Sequence, residues 1–531
     1  MVRSRLKYIF LCVAALVSVV VGTSITVSCE KEPQFATGTL QLRFSVDTLR
    51  FDTVFVARGS TVRHVKVYNL SNEDLLLSTV SLAQGRNSYF RLNVDGDTAM
   101  VARDVRLAAH DSLFVFVRVT LSPNDSLAPF FVDDHIVFRS GAYEQRFPLE
   151  AWGRNAVYHV PNRVLRTADG DYPYSIIDCD HWDSSRPHVI VGFAVVDEGA
   201  TLTLTAGETL YFANDGTLWV YDGGTLRVQG TRENPVRFTS VRQDNRYASL
   251  PGQWQYVWLS SGSRGNEVDW AVVENGVAGF VVDTCVDSRP TLTLSNTIVR
   301  NQSLAGIIGQ GAVVVGDNLL VHTCGTATLA LQYGGNYTFT NSTFVNYWPY
   351  ESRRNPSVIL NNHYRTASGH DEVRHLQAAT FRNCIVYGSL SDGELMFDSL
   401  SGGQFSYTFD HCLLRTSLID SATYPESALL VNVDPQFFAP WEGDYHLSAT
   451  SPALGAGSAD AISRPYDLEG FTRPNPPAMG VYEYHDTSQL VRHPVVFPFS
   501  YHRRNAHLGS SFPVLSFRQP YVERGKSLNN Y

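Results

Sequence analysis

The stretch "LSNTIVRN" (residues 294–301) returns four times farther along the chain. The later copies are "VGDNLLVHT" at 315–323, "FTNSTFVNY" at 339–347, "FRNCIVYG" at 381–388 and "FDHCLLRT" at 409–416. Each copy has a polar residue followed by an apolar run, and another apolar run precedes each later copy. Recurrence at such intervals is typical of repeat architectures. We therefore interpret each interval, including the longest, as one coil of a solenoid.

Aligning the copies on the polar residue predicts one column along the solenoid: Asn296, Asp317, Asn341, Asn383 and His411, at intervals of 21, 24, 42 and 28 residues. Asn tolerates the left-handed bend at a corner and can hydrogen-bond to its counterparts in neighbouring coils. The apolar pair after each corner, such as Ile298 and Val299, is expected to fill the interior. Stacking would also bring Cys384 over Cys412, and we expect two buried thiols there rather than a disulfide.

This region, residues 158–484, resembles the pectate-lyase-like superfamily of right-handed parallel β-helices. Its end, with "VDPQF" at 433–437, "GDYHLSATSPALGAG" at 443–457 and "MGVYEY" at 479–484, is similar to a closing segment of secreted and surface-displayed β-helix proteins. The resemblance implies a fold, but not an activity, because such solenoids include lyases, hydrolases, epimerases and adhesins. The remaining residues, 485–531, are expected to form an irregular tail that caps the solenoid.

Residues 35–155 show a different pattern, with apolar residues at every second position. In "SLFVFVRVTL" (112–121), Leu113, Val115 and Val117 share one face. About seven such strands, separated by turn residues, predict an antiparallel β-sandwich. The region resembles the immunoglobulin-like domains that stand next to the anchor in bacterial surface lipoproteins. The whole chain is thus predicted to be all-β, with an immunoglobulin-like sandwich followed by a β-helix.

The first 29 residues resemble a bacterial lipoprotein signal. Arg3, Arg5 and Lys7 precede an apolar run at 9–21, and "ITVSC" ends at Cys29. The resemblance implies that Cys29 is acylated and holds the mature chain on the outer membrane, at its cell-surface or its periplasmic face. The alternative is an uncleaved anchor, but the run is shorter than the ~20 residues that span a bilayer.

Charge and cysteine use limit the classes of function. The formal net charge is -9, and there is no basic run after the N-terminus, so we predict no nucleic-acid partner. The seven cysteines are scattered, and the sequence has no CxxC or HExxH motif. We therefore predict no structural zinc and no cofactor.

Two insertions in the 42-residue coil flank "SVILNNHY" (357–364) and read "WPYESRRNP" (348–356) and "RTASGHDEVRH" (365–375). Aromatic rings stack on sugar faces and guanidinium groups pair with carboxylates. The predicted glycan-binding residues are Trp348, Tyr350, Arg353, Arg354, His363 and Tyr364. The alternative is that both insertions are surface loops without a ligand.

A second candidate lies in "VVDTCVDSRP" (281–290), where Asp283, Asp287 and Arg289 could form a cation or acidic-sugar site or, alternatively, a solvated turn. Neither candidate contains the paired acids of a glycoside hydrolase. We therefore favour a lipid-anchored protein that binds extracellular polysaccharides or partners over a polysaccharide lyase, hydrolase or epimerase.

Overall fold

The computed structural model describes residues 40–485 apart from 57–58, 61, 123–129, 168–169, 178–181, 183–184, 244–246, 285–288, 367 and 424. The described residues form two compact units that divide between Trp152 and Gly153. Strands dominate both units, which confirms the prediction of an all-β chain. Across the described residues, helical segments are single short turns, and none is long and apolar enough to cross a membrane.

The first unit is a sandwich of two sheets built mainly from antiparallel strand pairs. Its strands are β1 (Leu42–Phe44), β2 (Leu49–Phe55), β3 (Arg63–Asn69), β4 (Leu75–Leu82), β5 (Phe90–Val94), β6 (Val101–Leu107), β7 (Ser112–Val119), β8 (Phe130–Ser140) and β9 (Tyr143–Arg154). A four-stranded sheet has the order β1-β3-β7-β5 and a five-stranded sheet the order β2-β9-β8-β4-β6. In β7, Leu113, Val115 and Val117 are buried and the residues between them are not, as the period of two predicts.

The second unit contains the remaining strands and most of the short 3-10 turns. The strands as far as the first repeat are β10 (Val157–His159), β11 (Arg163–Thr167), β12 (Gly170–Ile176), β13 (His188–Ile190), β14 (Phe193–Val196), β15 (Thr201–Thr205), β16 (Thr209–Phe212), β17 (Thr217–Val220), β18 (Thr225–Gln229), β19 (Val236–Ser240), β20 (Val257–Leu259), β21 (Asn266–Asp269), β22 (Ala271–Glu274), β23 (Ala278–Val282), β24 (Leu292–Ser295) and β25 (Ile298–Gln302). Those that follow are β26 (Ala305–Gln310), β27 (Val313–Asp317), β28 (Leu320–Cys324), β29 (Ala327–Gln332), β30 (Gly335–Thr340), β31 (Thr343–Asn346), β32 (Val358–Asn361), β33 (His363–Arg365), β34 (Asp371–Val373), β35 (Leu376–Arg382), β36 (Ile385–Gly388), β37 (Leu395–Asp398), β38 (Thr408–Asp410), β39 (Leu413–Leu414), β40 (Leu430–Val431), β41 (Phe437–Ala439) and β42 (Asp444–Leu447). The 3-10 turns are Gly85–Asn87 in the sandwich and Ser421–Thr423, Pro425–Ser427, Pro440–Glu442 and Ala459–Ala461 here.

Most of these strands stack into three long sheets, which confirms the predicted parallel β-helix. The eleven-stranded sheet runs β10-β13-β16-β19-β22-β25-β28-β31-β36-β39-β40. The ten-stranded sheet runs β11-β12-β14-β17-β20-β23-β26-β29-β32-β37, and the eight-stranded sheet runs β15-β18-β21-β24-β27-β30-β35-β38. The repeating coil contributes one strand to each sheet, and its neighbours pair with it in parallel. Stacked coils thereby bury an apolar face that a single coil would expose.

Left-handed residues form the corner between the eight-stranded and eleven-stranded sheets. They are Asn296 (φ 45°), Asn318 (φ 59°), Asn341 (φ 47°), Asn383 (φ 51°) and His411 (φ 49°). The predicted column was wrong by one residue in its second coil, because Asp317 pairs with Ser295 as the last residue of β27. Asp and Asn both tolerate the left-handed conformation, so the sequence "DN" (317–318) does not show which of the two residues forms the corner.

The 42-residue interval is a single coil, as predicted. Strand β31 pairs directly with β36, and the Asn383 side-chain amide donates to the Asn341 side-chain oxygen at 3.1 Å. One coil earlier, Asn318 donates in the same way to Asn296 at 2.7 Å. The corner therefore carries side-chain hydrogen bonds from coil to coil, although Asn341 donates to Asp317 rather than to Asn318.

Only one residue of each apolar pair fills the interior, so the sequence-based prediction was half right. The second residue of each strand of the eleven-stranded sheet that follows a corner lies in the core: these residues are Val299, Val321, Phe344, Val386 and Leu414. The first residue of such a strand faces outward, and Leu320, Ile385 and Leu413 belong to a separate apolar cluster on the outer face of this sheet. Cys384 and Cys412 are free and buried, as expected. Burial and the neighbouring thiol raise the pKa of Cys384.

The outer cluster is covered by the closing segment, residues 437–485. Tyr445 places its ring 4.9 Å from that of buried His322, and Leu447, Ala478 and Val481 pack in the same cluster. The segment also bonds to the Asn corner, where Arg473 donates to the Asn318 side chain at 2.8 Å. The eleven-stranded sheet is thus closed to large ligands along this stretch. The predicted cap at 485–531 lies outside the described residues, apart from His485.

Candidate functional site

The first insertion folds back into the coil. Trp348 is buried, and its ring lies 4.8 Å from that of Tyr350. The Tyr350 hydroxyl donates to the carbonyl of Ser249 at 2.7 Å, and burial raises the pKa of Tyr350 to about 12. This phenol is therefore a neutral hydrogen-bond donor at physiological pH. Arg354 is exposed.

A buried ion pair fixes the same insertion. Arg353 donates from Nη2 to Glu394 Oε2 at 2.6 Å and from Nη1 to Oε1 at 3.0 Å. The side chains are 2% and 0% exposed. Ser357 donates to the same carboxylate from its backbone N–H at 2.9 Å and from its hydroxyl at 2.8 Å. The guanidinium group of Arg353 therefore joins consecutive coils through Glu394, and it is too buried to contact a ligand.

The second insertion projects as a β-hairpin. Strands β33 and β34 pair antiparallel, with Tyr364 opposite Glu372. The half-buried ring of Tyr364 lies 4.9 Å from that of Tyr333, which directly follows β29. Arg374 follows β34, lies 5.3 Å above the Tyr364 ring and donates to its hydroxyl at 3.2 Å. His363 lies 3.1 Å from a carboxylate oxygen of Asp398. The hairpin thus arranges two rings and a cation at one end of the ten-stranded sheet.

The segment after β23 meets this hairpin. Arg374 Nη1 donates to the hydroxyl of Thr284 at 3.3 Å, and Thr284 donates to the Gln310 carbonyl at 2.7 Å. Asp283 accepts from Trp258 Nε1 at 2.9 Å. The structure therefore brings Asp283 to the same sheet end as Tyr364, although the sequence separates the two predicted sites. Arg289 is exposed, and Asp287 lies outside the described residues.

A polar column runs along this end of the ten-stranded sheet. Its members follow from the strand register and are Asp283, Gln310, Gln332, Asn361 and Asp398. Asn361 donates to Asp398 at 2.8 Å and accepts from the backbone of Tyr333 at 3.2 Å. Gln332 is 6% exposed, and its Oε1 has no hydrogen-bond partner within the described part of the chain.

We call Asp283, Thr284, Gln332, Tyr333, Tyr364 and Arg374 the hairpin site. It offers stacking faces, a fixed cation and a carboxylate, whereas the amide oxygen of Gln332 is buried. These are the groups that recognise hydroxyl-rich ligands, because buried polar groups fix orientation while rings supply contact area. Burial, followed by the nearby Asp283 carboxylate, raises the pKa of Tyr256 to about 12. The phenol next to the site therefore stays neutral.

Sequence reasoning named Asp283 and Tyr364 but missed the other four members of the hairpin site. A signal was present, because "FVVD", "IIGQ", "LALQ", "VILN" and "LMFD" each end an apolar strand with Asp, Asn or Gln. Aligning these endings would have predicted the polar column, since strands in consecutive coils stack in register. Arg374 was inside the quoted insertion, but nothing local distinguishes it from Arg365.

Comparisons with known proteins do not assign this chain to a family. No protein-family model matches the chain, and no curated protein matches it. Similar solved structures include the VesB protease of Vibrio cholerae (14% identity, 21% of this chain, 31% of that chain, TM-score 0.15) and the PapD-like domain 7 of human CEP192 (15%, 25%, 97%, 0.16). A family 123 glycoside hydrolase from Clostridium perfringens is another (8%, 23%, 25%, 0.17). The chain spans less than a third of the protease and of the hydrolase, and these TM-scores carry no argument.

Proposed function

We propose that this protein is a lipid-anchored surface β-helix protein that binds an extracellular glycan at the hairpin site. The observation that supports the proposal best is the meeting of Tyr364 and Arg374 with Tyr333 and Thr284. The two rings can stack on sugar faces, and the guanidinium can pair with a carboxylate of an acidic sugar. On this view the chain is a member of the pectate-lyase-like superfamily with an immunoglobulin-like domain as its spacer.

The spacing of the two acids in the polar column favours binding over hydrolysis by that pair. Asp283 and Asp398 are separated by four coil steps, which is about 19 Å at the usual strand spacing. A glycoside hydrolase needs its two carboxyl groups within about 5–10 Å of each other. The polar column is instead suited to contacting successive units of a chain that runs along the solenoid axis.

The test is a glycan array probed with the chain from Glu30 to Tyr531, which retains every described residue. We expect binding to acidic oligosaccharides, and a loss of at least ten-fold in Arg374→Ala. Arg354→Ala is the matched control, because Arg354 is also an insertion arginine but is exposed and lies outside the hairpin site. Equal binding by the three proteins would disprove the proposed site. Release of reducing or unsaturated ends by the wild-type protein would instead favour a polysaccharide-processing enzyme.

The anchor is tested separately. The mature protein is expected to begin at Cys29 and to partition with membranes, because several acyl chains hold a protein far better than one. A Cys29→Ala variant should lose acylation and processing. Wild-type protein that still begins at Met1 and carries no acyl chain would instead favour an uncleaved N-terminal anchor.

A further inference from the structure

The two sheets of the sandwich differ in charge. The four strands of the smaller sheet, β1, β3, β5 and β7, contain five basic residues and no acidic one. The five strands of the larger sheet contain six of each sign. A chain with a formal net charge of -9 thus concentrates positive charge on one sheet. Concentrated charge of one sign indicates a partner of the opposite sign.

The outer face of the small sheet also carries exposed aromatic rings. Phe114 and Phe116 are 41% and 38% exposed, and their rings lie 6.1 Å apart. The ring of His64 lies 5.3 Å from that of Phe114. Lys66 Nζ lies 5.4 Å from the Phe114 ring and 5.2 Å from that of Tyr68. The face therefore presents exposed aromatic rings with a cation among them, and we call it the basic aromatic face.

Arginines border this face. Arg118 lies directly opposite Arg91 across strands β7 and β5, and Arg43 lies opposite Tyr68. Like charges in such a position are destabilising unless an anion compensates them. Within the described residues, neither Lys66 nor these three arginines pairs with a carboxylate. Their charges are therefore available to an external anion.

We propose that the basic aromatic face docks on the anionic phospholipid headgroups of the membrane that holds the lipid anchor. This inference rests on the proposed anchor for proximity. Twelve residues lie between Cys29 and Leu42, the first residue of β1, so these thirteen Cα-to-Cα steps reach at most about 43–47 Å when extended. Phe114 and Phe116 would enter the boundary between headgroups and acyl chains, while Lys66 and the arginines contact phosphates.

The chemistry of the face favours a lipid surface over two other occupants. Phenylalanine has no hydrogen-bonding group, so the exposed pair gains more from an apolar boundary than from hydroxyl-rich sugars. A second copy of the chain would bring two positive faces together, which is unfavourable. An anionic membrane supplies both an apolar layer for the rings and phosphates for the cations.

The experiment is co-sedimentation of the chain from Glu30 to Tyr531 with two kinds of vesicle. One kind contains phosphatidylcholine alone, and the other also contains about 30 mol% phosphatidylglycerol. We expect binding to the anionic vesicles that weakens with salt. Lys66→Gln should lower the partition coefficient about five-fold, the loss expected for one basic residue at a membrane. The double variant Phe114→Ser/Phe116→Ser should lower it at least ten-fold. Both changes are at exposed positions, and unchanged thermal unfolding would verify the fold.

The matched control is Phe131→Ser/Trp152→Ser. These residues form an exposed aromatic pair in the larger sheet, 48% and 50% exposed with rings 5.3 Å apart. Their variant should bind like the wild type. Equal binding to both kinds of vesicle, or an equal loss in the control, would overturn the inference. The inference would also be overturned if the protein did not bind vesicles but self-associated through Phe114. The same holds if it did not bind vesicles but bound polygalacturonate in a way that depends on Phe114. The chain used lacks Cys29 and the vesicles carry no glycan, so failure would leave the anchor and the hairpin site untested and intact.

Discussion

The two insertions of the 42-residue coil have similar compositions and opposite structural roles. The first, at 348–356, places Trp348 and Arg353 in buried contacts within the coil. The second, at 365–375, extends into a hairpin that leaves Tyr364 and Arg374 half-buried at a sheet end. An arginine near aromatic residues therefore does not identify a ligand site by itself. What decides its role is whether a neighbouring coil supplies a buried carboxylate, as Glu394 does for Arg353.

The largest expected effect is in the first insertion. Arg353→Ala leaves Glu394 buried without its partner, and we expect a loss of about 3–5 kcal/mol in the free energy of unfolding. Chemical denaturation measures this loss, with Arg354→Ala as the exposed control that should change stability by less than about 0.5 kcal/mol. If the two variants were equally stable, the contrast between the insertions would fail.

Trp348→Ala should have the next largest effect. Its buried ring fills space beside Tyr350 and the Gly325 corner, and we expect its removal to cost about 3 kcal/mol of stability. Trp441→Ala, at a ring that is 43% exposed, should cost less than half as much. A Trp348→Ala protein with wild-type stability but no glycan binding would return the first insertion to the status of a ligand site.

The pH dependence of stability tests the closing segment, which packs on the eleven-stranded sheet. Burial lowers the pKa of His446, but the carboxylates of Asp444 and Glu469 outweigh this effect and raise it to about 9. A raised pKa stabilises the fold fully below the unfolded value of about 6.5, and this contribution is lost as pH rises toward 9. We expect a loss on the order of 2–3 kcal/mol over that range. His446→Gln should remove this pH dependence, and an unchanged profile would contradict the assignment.

The smallest effect on stability should come from the hairpin. Tyr364→Ala removes one ring contact with Tyr333, and we expect a cost of about 1 kcal/mol in unfolding free energy together with a loss of at least ten-fold in glycan binding. Tyr364→Phe keeps the ring and should retain most of both. A large loss of stability without a change in binding would show that the hairpin, like the first insertion, serves the fold.

The solenoid was predictable because its signal is local and repeated. Each coil contains a polar corner followed by an apolar strand, and the single further apolar strand in each interval identified Asn341 and Asn383 as corners of neighbouring coils. The one-residue error at Asp317 arose where two residues of the same conformational preference adjoin. The outer apolar cluster could not be foreseen in the same way, because the residues that cover Leu320 and Ile385 come from the closing segment, far along the chain.

The hairpin site was predictable only in part for a related reason. Arg374 bonds to Thr284, the neighbour of Asp283, across 90 residues of sequence, and the Arg353 partner Glu394 is 41 residues away. Pairings of this kind depend on which coil lies above which. They follow once the register is known, and no single stretch of sequence contains them.

The closing segment contacts successive rungs of the Asn corner at fixed points along itself. The carbonyl of Ser458 accepts from Asn383, that of Ala461 accepts from Asn341, and Arg473 donates to Asn318. The sheets alone would accept an extra coil, because every coil offers the same edge to the next. The closing segment would not, since an inserted or deleted coil would shift these contacts out of step. It therefore acts as a ruler that sets the number of coils, and natural variation in length should occur in the turns between strands rather than in whole repeats.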